Sequence, residues 1–289
     1  MQLLKYGADK VFKAQFYLPE PNILYSTFGK LDKDILFWST MGISRSYNIF
    51  LGATEIFAAV LLLFKRTRLI GAIIAVAILC NIVAINFSYD ISVKGYSLFL
   101  LLLATILALP FRHSLFRYII SQKPYLVSPL IEKDVQNEKP VFFIKAFVIA
   151  IIFFEAFYPY IKTGNYNNDL SVKPFLHGAY EVRADSLRSN NVLSMKRFFI
   201  HKDGYLIFQN QQDEMLDYKM QVDSAIKQML LTNYKSDTIR VQYDFNATDS
   251  ILTLRYLLND KSYLIQGKQI NWRGLPALKP QFHWVSDSF

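Results

Sequence analysis

YNIFLGATEIFAAVLLLFKRTRLIGAIIAVAILCNIVAINFSYD, residues 47–90, is the stretch on which the fold turns. A helix needs about 20 apolar residues to cross roughly 30 Å of hydrocarbon. Tyr47 to Phe64 offers such a run with a single ionisable residue, Glu55, and stops at Lys65, Arg66 and Arg68. Leu69 to Tyr89 carries no charge along its length and ends in the polar patch Asn86, Ser88, Asp90, Ser92 and Lys94. Working outward, Gly95 to Phe111 is again uncharged, and Pro110 closes it before Arg112, His113 and Arg117, because proline breaks the helical hydrogen-bond ladder. Val141 to Tyr160 carries Lys145 and Glu155 near its ends, with Tyr158 and Tyr160 where an interfacial aromatic belt would lie. Four runs of this kind, separated by basic breaks, predict a membrane α-helical bundle; buried helices of a soluble protein seldom repeat uncharged runs of this length.

The bulk composition agrees with that reading. Of 289 residues, 52% are hydrophobic and 19% charged, against about 25% charged in an average soluble domain. The net charge of +9 is explained by basic membrane loops as readily as by nucleic acid, and no basic recognition helix or RNA-stacking signature supports nucleic-acid binding. The lone cysteine, Cys80, excludes an intramolecular disulfide, a Cys-x-x-Cys redox pair and a thiolate-rich metal site.

Lysine and arginine favour the cytoplasmic side of a membrane. Lys65, Arg66 and Arg68 after the first run, and Arg112, Arg117, Lys123, Lys133 and Lys139 after the third, therefore mark the cytoplasmic face. The Asp90 to Lys94 turn and the C-terminal region fall on the other side, which in a bacterial inner membrane is periplasmic or external. The chain divides into an extramembrane or interfacial N-terminal segment (1–46), a four-helix transmembrane bundle (47–162) and an extracytoplasmic β-rich domain (163–289). In the first of these, Leu3 to Phe16 has helical periodicity and is followed by the breakers Pro19 and Pro21. With no signal peptide or spanning helix ahead of it, this segment leads to the expectation of a further helix upstream.

Three motifs now carry a likeness: Gly52-Ala-Thr-Glu55, the Arg-Thr-Arg-Leu-x-Gly run from Arg66 to Gly71, and the Tyr-Asp-x-x-Val-Lys linker from Tyr89 to Lys94. The block from Asn22 to Leu109 that holds them resembles DoxX-like integral membrane proteins of bacteria. The resemblance implies a small four-helix bundle, and the long C-terminal region marks a longer variant that generally has another helix before this segment. Some relatives are named as subunits of a membrane thiosulfate:quinone oxidoreductase, so the resemblance also implies a quinone contact and a redox or assembly partner protein.

Glu55 falls near the middle of the first run, where a carboxylate is costly unless paired or protonated. With Asn81 and Asn86 it forms a candidate intramembrane polar site, and Arg45 and Lys94 are further candidate partners. Glu55 reads either as a proton acceptor beside a quinone or small substrate, or as a residue that hydrogen-bonds neighbouring helices. Asp90 and Lys94, four apart, with Arg45, form a candidate outer-mouth cluster that either recognises an anion or terminates two helices. Glu155 reads as a snorkelling or capping carboxylate, and Cys80 as a packing residue.

Beyond Asn165 the pattern changes to short alternating segments. Leu216, Tyr218, Met220 and Val222 alternate with polar residues, as do Ile239, Val241, Tyr243 and Phe245. Further strands are predicted at Gly178–Val182, Arg197–His201, Tyr205–Gln209, Ile251–Leu258 and Tyr263–Gln266, with a tight hairpin at Lys202-Asp203-Gly204. Around eight such strands predict a mainly antiparallel β-domain, closed into a lipocalin-like barrel or folded as a sandwich. Its interior either holds a small apolar molecule or is filled by its own Tyr and Phe side chains. Arg273, Trp272, His283 and Trp284 are expected to close the barrel or dock it.

His113, His177, His201 and His283 show no ligand spacing, so no metal is expected, and no nucleophile elbow, phosphate loop or dinucleotide fingerprint occurs. No catalytic residue emerges. The leading expectation is a DoxX-like membrane protein, not an enzyme on its own, with an external β-domain for binding or assembly. A quinone-interacting oxidoreductase subunit and a small-solute permease are the alternatives; no cofactor other than a quinone is implied, and the lipid bilayer is the first partner.

Overall fold

The computed structural model describes residues 1–112, 138–185, 195–258 and 261–279. Arg117, Lys123 and Lys133 of the expected basic loop, along with His113, His283 and Trp284, lie outside the described residues. The helices in chain order are α1 (Gln2–Val11), the one-turn α2 (Pro21–Leu24), α3 (Lys33–Ile43), α4 (Arg45–Leu63), α5 (Arg68–Ser88), α6 (Lys94–Ala108) and α7 (Glu138–Thr163). Strands follow: β1 (Gly178–Asp185), β2 (Met195–His201), β3 (Tyr205–Asn210), β4 (Met215–Asp223), β5 (Gln228–Thr232), β6 (Thr238–Asn246), β7 (Ile251–Leu258) and β8 (Lys261–Ile270). They form two units, one of Met1–Leu18 with Asp32–Ser171, the other of Pro19–Leu31 with Val172–Phe289.

In the helical unit, α4, α5, α6 with the 3-10 turn that continues it to Phe111, and the stretch Phe142–Leu170 are each long and apolar enough to cross a membrane. Where these helices meet, small residues let backbones approach: Ala58, Ala72, Ala75 and Ala104 are buried. Their outward faces carry large apolar side chains, including Phe50, Phe57, Phe99, Leu102, Phe143 and Phe147, all exposed. Ser44 ends α3 in an extended conformation and caps α4 through its hydroxyl, which accepts from the Tyr47 amide at 3.4 Å. Asp90, at φ 55°, follows the end of α5.

Residues 1–46 are shared between the two units. The first helix, α1, packs against α4 and α7 with Leu4, Gly7, Ala8 and Lys10 buried. Pro19–Leu31 groups with the β-unit, whose second segment begins at Val172. The physical reason is side-chain anchoring on both sides of Leu18, described below.

The β-unit is a closed barrel in which every strand pairs antiparallel with its chain neighbour and β8 pairs back to β1. Closure decides against a sandwich and leaves no open sheet edge. Interior positions are filled by Tyr180, Phe198, Leu206, Met229, Leu252 and Ile265, among others, and the Tyr180 ring stacks on Phe198 at 4.9 Å. Gly204, at φ +76°, turns β2 into β3 where the Asp-Gly pair predicts a hairpin. One strand, β5, was not foreseen: QMLLT is short and carries three consecutive apolar residues instead of a clean alternation.

Phe198 and Ile200 face inward, so Phe199 between them faces out, yet it is fully buried. Pro19–Leu31 is the cover. Tyr25 stacks on Phe199 at 5.9 Å, the Arg197 guanidinium lies 4.6 Å above the Tyr25 ring, and Gln209 Nε2 donates to the Tyr25 carbonyl at 3.0 Å. At the other end of this strap, Glu20 Oε2 stands 2.7 Å from His177 Nε2 and accepts from the Lys202 amide at 3.4 Å. Burial alone would raise the Glu20 pKa, but the His177 hydrogen bond and the neighbouring His201 and Lys202 charges hold it below the usual carboxylate range. Burial pushes His201 down, against the pull of Glu20 and Asp203. Trp272 is buried edge-on to His177, with Arg273 over its ring at 5.1 Å.

Candidate functional site

Asn48, Gly52, Glu55 and Ala59 recur at intervals of four, three and four along α4, which places them on one face of a helix with 3.6 residues per turn, and all four are buried. That face meets α1. A Cβ on Gly7 would lie 2.7 Å from the Gly52 carbonyl, and one on Gly52 would overlap the Gly7 carbonyl in return, so only glycine at both positions allows this approach. One turn further along each helix stand Lys10 and Glu55. The close crossing brings them together: Lys10 Nζ is 2.9 Å from Glu55 Oε1 and 3.0 Å from Oε2, with the side chains 7% and 4% exposed. The same ammonium lies 5.7 Å from the centre of the Tyr6 ring and 5.6 Å from that of Phe16.

The ion pair borders a half-open cavity of about 650 Å³. Asp34, Phe37, Trp38 and Met41 of α3 line it, an i, i+3, i+4, i+7 set that shares one face of that helix. The other walls come from α1, α4, α5 and the start of α6, and Phe16, Phe37 and Ile91 pack together at one side. The lining is mainly aromatic and aliphatic with a few polar groups, the usual make-up of a small-molecule site.

Glu55, Asn81 and Asn86, singled out from sequence, all line this one cavity. Asn86 is buried, and its amide nitrogen has no hydrogen-bond partner among the described residues; Asn81 is exposed. The partner of Glu55 is Lys10, not Arg45 or Lys94. Of the outer-mouth cluster, Asp90 and Lys94 pair at 2.5 Å, and the hydrogen bond from Lys94, with its charge, holds Asp90 below the usual carboxylate range. Arg45 is exposed, does not line the cavity, and forms no ion pair among the described residues, so the expected three-residue cluster reduces to a pair.

Two buried lysines were missed by the sequence reading. Lys10 sits in a short run that looks amphipathic, and its signal is a spacing: Gly7 to Lys10 repeats the interval from Gly52 to Glu55. Lys13 follows α1 at φ 59° and donates to the Gly42 carbonyl near the end of α3, with Asp169 Oδ2 at 3.3 Å. Burial pushes the Lys13 ammonium below its ordinary pKa while Asp169 opposes that shift. Asp169 also accepts from the Leu18 amide at 2.7 Å. Among the described residues, no group of three or more His, Cys, Asp or Glu side chains is placed to hold a metal.

No family model matches the chain. It is 41% identical over 102 residues to the uncharacterized protein YwoB of Bacillus subtilis (strain 168). The shared stretch is 35% of this chain and 64% of that protein, so the chain spans less than two thirds of the relative it matches.

Proposed function

We propose that the chain is a multi-pass protein of a bacterial inner membrane, DoxX-like in its bundle, that binds a small and largely apolar molecule among its helices and carries an extracytoplasmic β-barrel for assembly. The observation that carries the binding role is the cavity of about 650 Å³ beside Lys10 and Glu55, a volume within the range of small-molecule sites. The membrane setting rests on the exposed apolar faces of α4 to α7, which water would penalise and lipid would not. Parity supports it as well. The strap Pro19–Leu31 precedes the four candidate spans and the barrel follows them, yet the two share one unit; an even number of crossings returns the chain to the side it started from. Assembly is the barrel's role because its interior positions are taken by its own side chains.

The test is to purify the full chain in nanodiscs and identify retained small molecules by native mass spectrometry and solvent extraction. Near-stoichiometric retention in the wild type and its loss in Leu51→Trp, which fills the cavity from α4, is the expected result. Wild-type protein that emerges empty, and takes up none of a panel of apolar probes including quinones, refutes the binding role.

A further inference from the structure

This inference rests on the binding role just proposed and assigns the charge of the ligand. Seven of the cavity's lining residues are aromatic (Tyr6, Phe16, Phe37, Trp38, Tyr47, Phe50 and Tyr96), and aromatic faces attract cations through the ring quadrupole, more strongly where water is excluded. The cavity shows this chemistry already, since the Lys10 ammonium lies within 6 Å of two ring centres. The charge balance points the same way. Three carboxylates line the space, Asp34, Glu55 and Asp90, against the single cation Lys10. Lys10 neutralises Glu55, and Lys94 neutralises Asp90. Asp34 has no ion-pair partner among the described residues; one of its oxygens accepts from the Ile35 amide at 2.8 Å, which leaves the carboxylate charge in place. It stands one turn before Phe37 and Trp38 on the face of α3 that lines the cavity.

We propose that the ligand is a lipophilic amine or ammonium compound, its cationic end at Asp34 beside Phe37 and Trp38 and its apolar body directed toward the aromatic walls. An anion meets a net negative lining. A neutral molecule of equal shape gains the apolar contacts but leaves the Asp34 charge unanswered in a partly dehydrated site.

Three probes of one shape test this: 1-naphthylmethylamine, which is cationic at pH 7, 1-naphthylmethanol, which is neutral, and 1-naphthoate, which is anionic. Binding to the full chain is measured by equilibrium dialysis in phosphatidylcholine nanodiscs, with uptake by empty discs subtracted. The expected result is an amine at least tenfold tighter than the alcohol, with the carboxylate weakest. Asp34→Asn removes the amine's advantage, and Asp34→Glu, which keeps the charge, restores it. Equal affinity of the amine and the alcohol, or an advantage that survives Asp34→Asn, overturns the charge assignment while leaving the binding role standing. So does the retention of a neutral quinone by the purified protein. If none of the three probes binds and the wild type matches Leu51→Trp, the binding role itself fails and this inference with it.

Discussion

Removing one partner of the Lys10–Glu55 pair leaves the other charge without a counter-ion between α1 and α4. The structure fixes how severe that is. Both side chains are under a tenth exposed, and the ammonium reaches both carboxylate oxygens within 3.0 Å, so solvent screening is slight and the interaction falls in the buried class. Breaking such a pair costs about 3–5 kcal/mol, whereas replacing both partners by apolar groups of similar size is near neutral, because neither charge then stays dehydrated. Lys10→Met and Glu55→Met should therefore each destabilise the helical unit by about 3 kcal/mol or more. The double variant should recover at least about 2 kcal/mol relative to either single change. SDS titration in mixed micelles, followed by circular dichroism at 222 nm where the helices dominate, reads this cycle. Single losses below about 1 kcal/mol, or losses that simply add in the double variant, would refute the argument that these two residues hold α1 on α4.

Three further outcomes follow from the same geometry. Gly52→Ala drives a methyl group into the Gly7 carbonyl and should cost about 1–3 kcal/mol in that assay, whereas Gly95→Ala in α6, with open space around its Cβ, should cost nothing. In the β-unit, Tyr25→Ala strips the ring from Phe199 and Arg197 and should cost about 2 kcal/mol, seen as faster proteolysis of Pro19–Leu31. Acid should weaken the β-unit in two steps: Glu20 and His201 both have folded-state pKa values below their ordinary ones of 4.5 and 6.5, so the unfolded chain takes up each proton first and stability falls as pH drops below about 6.5 and again below about 4.5. Melting curves across pH 3–8 check this, and Glu20→Gln should shrink the lower step to what remains from Asp213, which the Lys196 hydrogen bond also holds below the usual carboxylate range.

Each long helix was legible because a single local quantity, uninterrupted apolarity, determines it. Tyr47–Phe64 was expected and Arg45–Leu63 is found; Leu69–Tyr89 was expected and Arg68–Ser88 is found. Most strands were legible for a similar reason, since alternation at Ile239–Phe245 records one face turned inward, and at Leu216–Val222 its middle, Tyr218 and Met220, reaches the core while Leu216 and Val222 at its ends are exposed. What alternation does not record is pairing across distance. Ala179 opposite Ile270 closes the barrel, and nothing near either residue says so. Glu55 drew attention because a lone carboxylate in an apolar run is conspicuous, whereas its partner did not, because a lysine in a short polar-rich segment has an obvious alternative home in water. Tyr25 and Glu20 were hidden by Pro19 and Pro21, which read as chain breakers; α1 in fact ends earlier, at Val11, Pro21 opens the one-turn α2, and Glu20 and Tyr25 are bound to partners more than 150 residues away.

The first 31 residues thus do two unrelated jobs, and that has a consequence for how the protein is put together. Up to Leu18 they supply α1 and with it the counter-ion of Glu55; from Pro19 they supply the cover over Phe199. Neither unit is continuous in sequence, so each buries its surfaces only when a segment distant along the chain arrives. A barrel made from residues 172–289 alone would expose Phe199, pull Tyr25 away from Arg197 and leave His177 without Glu20, so it should be markedly less stable than the same barrel supplied with a peptide of residues 19–31. Helices 32–171 made alone should carry an unpaired Glu55. A barrel fragment that matches the peptide-bound form in melting temperature would show that the strap rests on a finished surface instead of completing it.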